Sequence, residues 1–338
     1  MKAVGYRQSL AISASESLLD LELPDPQPKG RDLLVQVKAI SVNPVDTKQR
    51  MRITPPAGET NVLGYDAAGV VVQTGPEANL FKPGDEVWYA GVSNRPGSNA
   101  ELELVDERIV GRKPASLSFM EAAALPLTAV TAWEMLFDRF KIARDISVTG
   151  ETLVIIGAAG GVGSIMTQLA RQLTRLTVIG TASRPETQKW VQTMGAHQVI
   201  DHHKPLLEEL KRIGIPSVQY VAGLTQTGAH FSEIAEMLAP QGKFGLIDDP
   251  GPIDINLLKR KSITICWEFM FTRAVFQTAD MARQGLILNE ISGLVDIGKI
   301  RTTLGSNYGP VNAANLKRAH AQIESGSTIG KIVLEWAG

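Results

Sequence analysis

From Thr152 onward the apolar positions alternate between two periods. Short β-branched runs, Val154-Ile155-Ile156 and Val178-Ile179 among them, stand between stretches whose apolar residues recur every three or four positions, as at Ile165, Leu169 and Leu173. The runs suit strands buried on both faces, and the longer spacing suits helices with one buried stripe. The pattern predicts strand 152–157, helix 161–173, strand 177–181, helix 185–194, a short strand 198–200 and helix 204–213. Strand 218–222, helix 228–238 and strand 243–247 continue it, with Ser262-Ile-Thr-Ile-Cys-Trp267 as the last strand. Such alternation builds the two mononucleotide-binding halves of a doubly wound parallel sheet.

The flanking segments follow another rule. Between Lys2 and about Ala115 short strand-like runs (32–42, 67–72, 86–89) are joined by turns such as Pro83-Gly84-Asp85, with Pro24, Pro26 and Pro28 in an extended connection. These signals predict a compact, mostly antiparallel β domain. Helix formers from Phe119 to Phe137 surround Pro126 and predict a helix, a kink and a second helix. Beyond the sheet, 276–288 and 310–325 read as helices and 331–335 as a closing strand. The predicted fold is α/β: a dinucleotide-binding (Rossmann) domain over 126–267, set within a mostly antiparallel β domain formed by 1–125 and 268–338.

The first strand ends in the glycine cluster Gly157-Ala-Ala-Gly-Gly-Val-Gly163 and opens directly into a helix. Free N–H groups and the positive end of a helix dipole favour an anion such as a pyrophosphate at that point. Aligned on the dinucleotide fingerprint, the pattern is Ala158-x-Gly160-x-x-Gly163, with alanine in the first glycine's place. Ala158, Ala159, Gly160, Gly161, Val162 and Gly163 are therefore the expected phosphate-binding backbone; the alternative is an ordinary strand-to-helix turn. A nucleoside-triphosphate loop is excluded, because Ser164 and Ile165 stand where its lysine is needed.

The composition narrows the partners. A net charge of −1 over 338 residues argues against nucleic acid, and the single cysteine, Cys266, permits neither an internal disulfide nor a cysteine-based zinc site. No stretch is long and apolar enough to span a bilayer, and Lys2 and Arg7 precede no targeting pattern, so a reducing, cytoplasmic setting is expected.

Several motifs together carry a family resemblance across nearly the whole chain. They are Ser41-Val-Asn-Pro-Val-Asp-Thr47, Gly64-Tyr-Asp-Ala-Ala-Gly69, Pro83-Gly-Asp-Glu-Val87, Ala122 to Trp133, the glycine cluster, and Gly330-Lys-Ile-Val-Leu334. The sequence resembles the medium-chain dehydrogenase/reductase superfamily in its zinc-lacking quinone oxidoreductase branch, and Asn43 to Arg50 with Glu268-Phe-Met-Phe271 is similar to proteins labelled zinc-type alcohol dehydrogenase-like. The resemblance implies that the β domain is GroES-like. In the zinc enzymes of this superfamily two cysteines and a histidine hold a catalytic metal. Here Asn43, Tyr65 and Pro126 or Leu127 stand near those places, no four-cysteine loop follows Trp88, and the five histidines are scattered. No metal is therefore expected.

Cofactor choice falls to the end of the second strand. Ile179-Gly-Thr-Ala-Ser-Arg-Pro-Glu186 places no carboxylate at the expected position, and offers Ser183 and Arg184 to a 2′-phosphate, which points to NADPH. His202 resembles the place of a family tyrosine that helps hold that phosphate. The resemblance also brings Leu224, Thr225, Ile247 and Phe269, Met270 and Phe271 toward the nicotinamide end, although the last three fit core packing almost as well. Asn43, Lys48, Tyr65 and Thr131 are the polar candidates beside the acceptor. Lys48 stands where quinone reductases typically carry a tyrosine; it offers an ammonium to an anionic substrate or a phosphate, or is solvated on the surface.

The expected activity is hydride transfer from NADPH to quinones or small α,β-unsaturated carbonyls. An enoyl-thioester reductase and a non-enzymatic NADPH-binding sensor or structural protein are the alternatives. The resemblance also implies a homodimer paired through the edge strand 262–267.

Overall fold

The computed structural model describes residues 1–144 and 150–336; the parts of the predicted domain spans at 145–149 and 337–338 lie outside the described residues. The chain divides into two units, Thr131–Met270 and the combination of Met1–Val130 with Phe271–Gly338. The sequence reading set the inserted span at 126–267, and the unit here runs from Thr131 to Met270.

Unit 131–270 is built on a six-stranded parallel sheet. Across the sheet the strands run Gln198–Ile200, Thr177–Thr181, Thr152–Ile156, Val218–Gly223, Leu238–Leu246 and Thr264–Trp267. In chain order that is 3-2-1-4-5-6, the order of a dinucleotide-binding sheet whose topology reverses beside the first strand. Every residue of Thr152–Ile156 is buried, which is why this segment is uniformly apolar after its threonine. Val154 pairs with Ile179 on one side and Val221 on the other, and all three join a core with Phe231, Phe244 and Leu246. The helices fall where the spacing put them, within two residues at each end. The third begins at Leu206 because Pro205 occupies the capping position. Thr264–Trp267 is the outer strand, paired on one side only, with Trp267 58% exposed.

The helix expected to follow Pro126 is Pro126–Trp133, and it runs on into a wider π turn, Glu134–Arg139. There the Phe140 N–H reaches back to Met135 O at 2.9 Å, one residue further than in an α-helix. The strand beneath makes room. A Cβ on Gly245 would lie 2.2 Å from Met135 Sδ and 2.8 Å from the Phe140 ring.

The other unit holds a seven-stranded, mostly antiparallel sheet. Its order is Leu304–Pro310, Lys331–Glu335, Asp32–Val42, Asp66–Thr74, Glu86–Tyr89 and Val110–Arg112, with Leu102–Asp106 also pairing to Asp32–Val42. Only Leu304–Pro310 and Lys331–Glu335 run parallel among these pairs. Val35, Val37, Ile40, Val71, Val87 and Ile332 face one core. Two helices of this unit depart from the expectations, as does the strand Leu304–Pro310. Pro44–Arg52 is a helix, and Arg283–Asp296 replaces the helix expected over 276–288, behind a short turn at Thr272–Val275.

The Pro44–Arg52 helix has a local cause and a distant anchor. Asn43 is extended, Pro44 supplies the first helical φ, and the Asp46 carboxylate accepts the Asn43 N–H at 2.7 Å. At the other end the fully buried Arg50 hydrogen-bonds His320 Nδ1 at 3.4 Å, the Leu10 carbonyl and the Glu324 carboxylate. That clamp fixes the helix bearing Asn43 and Lys48 to the C-terminal helix Ala313–Glu324.

Candidate functional site

The glycine cluster is a built cradle in which each glycine has a separate reason. Gly157 turns the chain with φ +84°, and a Cβ there would lie 2.8 Å from Thr225 Cγ2. At Gly163 a Cβ would meet Ala158 Cα and Gly157 O, both at 2.5 Å, so this position lets the helix Gly161–Leu173 press against the loop. Gly160 differs: a Cβ would meet only Gly157 O at 3.6 Å and would project into the space before the helix. Tight turn, open approach and close packing are the three needs of a pyrophosphate-binding turn. The turning residue is Gly157, one place before the aligned triplet. Ala158 packs instead against Gly180, where an added Cβ would lie 2.8 Å from its own. Gly160, Gly161 and Val162 remain partly exposed at the helix start, and Ala159 is at its buried edge.

The neighbouring strand ends carry the residues that the sequence nominates for cofactor choice. Thr181 closes the second strand with its hydroxyl accepting the Gly157 N–H at 3.1 Å. Ser183 and Arg184 follow, and Arg184 caps the helix Pro185–Thr193, its N–H donating to Thr187 Oγ1 at 3.2 Å. The Arg184 side chain is 43% exposed, with Nε 3.3 Å from Glu186 Oε1. An exposed pair of this kind contributes little to stability. The Ala182 N–H donates to Ile200 O at 3.0 Å, which brings the segment bearing His202 alongside. Burial, and then the nearby His203, hold the His202 imidazole below its ordinary pKa. The chain turns at the adjacent histidines, His202 and His203, and their rings pack edge to face at 4.9 Å.

The remaining strand ends are held by their neighbours in the sheet. Leu224 N–H donates to Ile156 O at 3.2 Å, Ile247 N–H to Gly223 O at 3.3 Å and Glu268 N–H to Leu246 O at 3.0 Å. Of the three aromatic and sulfur side chains that follow, Phe269 is half exposed while Met270 and Phe271 are buried. Phe271 falls in the other unit and packs on Tyr65, with ring centroids 4.9 Å apart.

In that other unit the expected polar residues meet a network that local sequence did not reveal. Lys331, only 3% exposed within a strand, reaches Asp66 Oδ2 at 2.7 Å and Asn43 Oδ1 at 2.5 Å. Asp66 also accepts from Asn43 Nδ2 and Ser41 Oγ, both at 2.8 Å, and from the Leu127 N–H at 2.7 Å. Asp46 accepts the Gly64 N–H at 3.0 Å, and burial pushes its carboxyl up to about 7. Asn43 therefore has both ends of its amide engaged, which makes it a member of this framework and removes it as a ligand for an acceptor. Tyr65 sits between Gly64 and Asp66 with its ring buried, and its hydroxyl has no hydrogen-bond partner among the described residues. Burial raises its pKa far above the ordinary value, so the phenol stays protonated and can donate. Lys48 is half-buried on the Pro44–Arg52 helix, and Thr131 is buried at the start of the 131–270 unit.

Among the described residues no group of three or more His, Cys, Asp or Glu could hold a metal, and the Asp66 carboxylate is engaged by Lys331. No helix among them is long and apolar enough to cross a membrane.

A parallel sheet in 3-2-1-4-5-6 order with a glycine-rich strand-to-helix turn at its reversal, joined to a mostly antiparallel unit, is an architecture typical of dinucleotide-binding proteins. Residues 29–122 match the alcohol dehydrogenase GroES-like domain, and residues 194–334 match the zinc-binding dehydrogenase family. A zinc-type alcohol dehydrogenase-like protein of Staphylococcus aureus is 42% identical, covering 99% of both chains. A crystal structure from Rhizobium etli, named as a candidate zinc-dependent alcohol dehydrogenase, is 56% identical with a TM-score of 0.96, covering 100% of this chain and 98% of that one. Escherichia coli quinone oxidoreductase, solved with NADPH, is 25% identical with a TM-score of 0.85, covering 99% of this chain and 100% of its own. The chain belongs to the medium-chain dehydrogenase/reductase superfamily of oxidoreductases, among the zinc-type alcohol dehydrogenase-like proteins.

Proposed function

We propose that the protein is a cytoplasmic, NADPH-dependent, zinc-independent reductase of quinones or small α,β-unsaturated carbonyls. The observation that carries this reading is the pair of strand ends beside the glycine cradle, where Ser183 and Arg184 stand with no acidic residue before them on the second strand's end. An acidic residue there would suit the ribose hydroxyls of NADH; a guanidinium suits a 2′-phosphate. The NADPH held by the E. coli quinone oxidoreductase supports the same choice.

Bound in this cradle, NADPH supplies the hydride. The main chain of Gly160 to Gly163 would hold its pyrophosphate, Arg184, Ser183 and His202 its 2′-phosphate, and the strand ends at Leu224, Thr225, Ile247 and Phe269 its nicotinamide half. Tyr65, backed by Phe271, carries a neutral O–H that would suit the oxygen gaining charge in an enone or quinone. Conjugate reduction needs such a donor and no metal. The lone Cys266 and, among the described residues, the absence of a fitting donor set support the zinc-independent reading against the zinc in the relatives' names.

Arg184→Ala tests the cofactor assignment. Hydrogen bonds to charged groups contribute about 1.5–3 kcal/mol, so NADPH should bind roughly ten- to a hundredfold more weakly at about 1.4 kcal/mol per factor of ten. NADH, with nothing to lose there, should be unchanged. Titration of both cofactors by tryptophan quenching makes the comparison, and equal loss for both would assign the phosphate elsewhere.

The edge strand Thr264–Trp267, with Trp267 58% and Phe269 50% exposed, supports a two-fold homodimer that continues the sheet across its open edge. Sedimentation should give a dimer at micromolar concentration; a monomer would contradict this assembly.

A further inference from the structure

The peptide between Gly160 and Gly161 joins two glycines, so no Cβ on either side limits its rotation. Its orientation decides what the loop can bind. In a trans peptide the C=O and the N–H point opposite ways. With the Gly160 carbonyl turned into the helix Gly161–Leu173, the Gly161 N–H faces out of the helix start; turned the other way, the loop presents a carbonyl to an incoming anion.

A buried serine holds the first orientation. Ser164, 0% exposed in the first turn of that helix, donates its hydroxyl to Gly160 O at 2.7 Å, and the same oxygen accepts the Ser164 N–H at 2.9 Å. The hydroxyl is itself held. Trp190, half-buried on the helix Pro185–Thr193, donates its indole N–H to Ser164 Oγ at 2.8 Å. The indole occupies one lone pair of the oxygen and leaves the hydroxyl proton to Gly160 O, with Ala159 O further off at 3.5 Å. Indole, hydroxyl and carbonyl thus form a chain in which each hydrogen bond polarises the next. Because Arg184 caps the helix that carries Trp190, this chain also ties the glycine turn to the segment nominated for the 2′-phosphate.

We propose that Ser164 and Trp190 are positioning residues: the Ser164 hydroxyl, oriented by the Trp190 indole, locks the Gly160–Gly161 peptide with its N–H toward the cofactor's pyrophosphate. The proposal rests on the cofactor reading above. Ser164 has no exposed surface and acts through Gly160. Its effect is therefore specific to ligands that carry a pyrophosphate, and blind to the 2′-phosphate.

The test compares wild type, Ser164→Ala, Trp190→Phe and the double variant by calorimetric titration with NADPH, NADH, ADP and adenosine 2′-monophosphate. The first three carry a pyrophosphate, and the last carries only the 2′-phosphate. A neutral hydrogen bond contributes about 0.5–1.5 kcal/mol, so Ser164→Ala should weaken NADPH, NADH and ADP alike by about three- to tenfold. Adenosine 2′-monophosphate should bind as before. Trp190→Phe keeps an aromatic ring and removes the N–H, and it should show a smaller loss with the same ligand pattern. The double variant should be no weaker than Ser164→Ala, because both changes break one chain. In the protein without ligand, the Gly161 amide resonance should be single and sharp in wild type and broadened by peptide rotation in Ser164→Ala. Unaltered pyrophosphate affinity in Ser164→Ala, a loss shared equally by adenosine 2′-monophosphate, or an unchanged Gly161 amide would overturn the proposal. Losses that multiply in the double variant, or none in Trp190→Phe, would overturn the part given to Trp190. Wild type binding none of the four ligands, with the Gly161 difference intact, would overturn the cofactor reading and leave the peptide lock standing.

Discussion

Lys331→Met is expected to destabilise the protein by about 3–5 kcal/mol, the range for removing one partner of a buried ion pair. The Asp66 carboxylate, fully buried, would keep Ser41, Asn43 and the Leu127 N–H as donors but no counter-charge, and Asn43 Oδ1 would lose its donor. At roughly 2–4 °C per kcal/mol the unfolding midpoint should fall by about 10 °C. Adding Asp66→Asn removes the orphaned charge and should recover part of the loss. The effect should extend to turnover, because Tyr65 is bonded in sequence to Asp66 and shares its corner with Gly64, which Asp46 holds. Thermal unfolding of the single and double variants measures the coupling; a loss below about 1 kcal/mol for Lys331→Met would place the pair among the weak, solvent-screened ones.

Gly163→Ala and Gly160→Ala should part company, although both add one methyl group to the same loop. At Gly163 the new Cβ meets backbone at 2.5 Å, and backbone does not yield as a side-chain tip does. Overpacking of this kind costs about 1–3 kcal/mol, and a helix pushed off the loop carries its N–H groups away from the cradle. Stability and NADPH affinity should fall together, the affinity by at least about tenfold per 1.4 kcal/mol. At Gly160, φ is −75°, which suits alanine, and the Cβ has only Gly157 O at 3.6 Å nearby. That variant should keep its unfolding midpoint and still bind NADPH poorly, since the methyl fills the space a pyrophosphate needs. Paired calorimetry and cofactor titration read both; a Gly160→Ala protein with normal affinity would contradict a pyrophosphate in this cradle.

The parallel sheet was legible because its central strands are buried on both faces. Val154, Ile179 and Val221 had to be β-branched or large wherever they pair, and the helices between them show one apolar stripe. The GroES-like unit was harder. Its helix Pro44–Arg52 has no apolar periodicity, being rich in charge, and its signal was the local pattern Asn43-Pro44-x-Asp46, a cap with proline and an acidic residue in the first turn. The strand Leu304–Pro310 is mostly glycine, serine and asparagine, and it exists because Lys331–Glu335 offers it a partner. The buried network was invisible for the same reason. Nothing near Lys331 says that it meets Asp66, 265 positions earlier, although a lysine opening the apolar run Ile332-Val-Leu334 is a local conflict that invites a search for its anion. Asn43 was found by its motif, but only the geometry shows that its amide is engaged at both ends.

The central claim is tested most directly by following NADPH oxidation with a quinone, a small enone and an enoyl thioester, with and without a strong chelator, alongside elemental analysis of the purified protein. Turnover of the quinone or the enone, unchanged by the chelator and with no stoichiometric zinc, is the expected result. Turnover of the thioester alone, no turnover of any acceptor despite tight NADPH binding, or activity lost with the removal of one zinc per chain would contradict it.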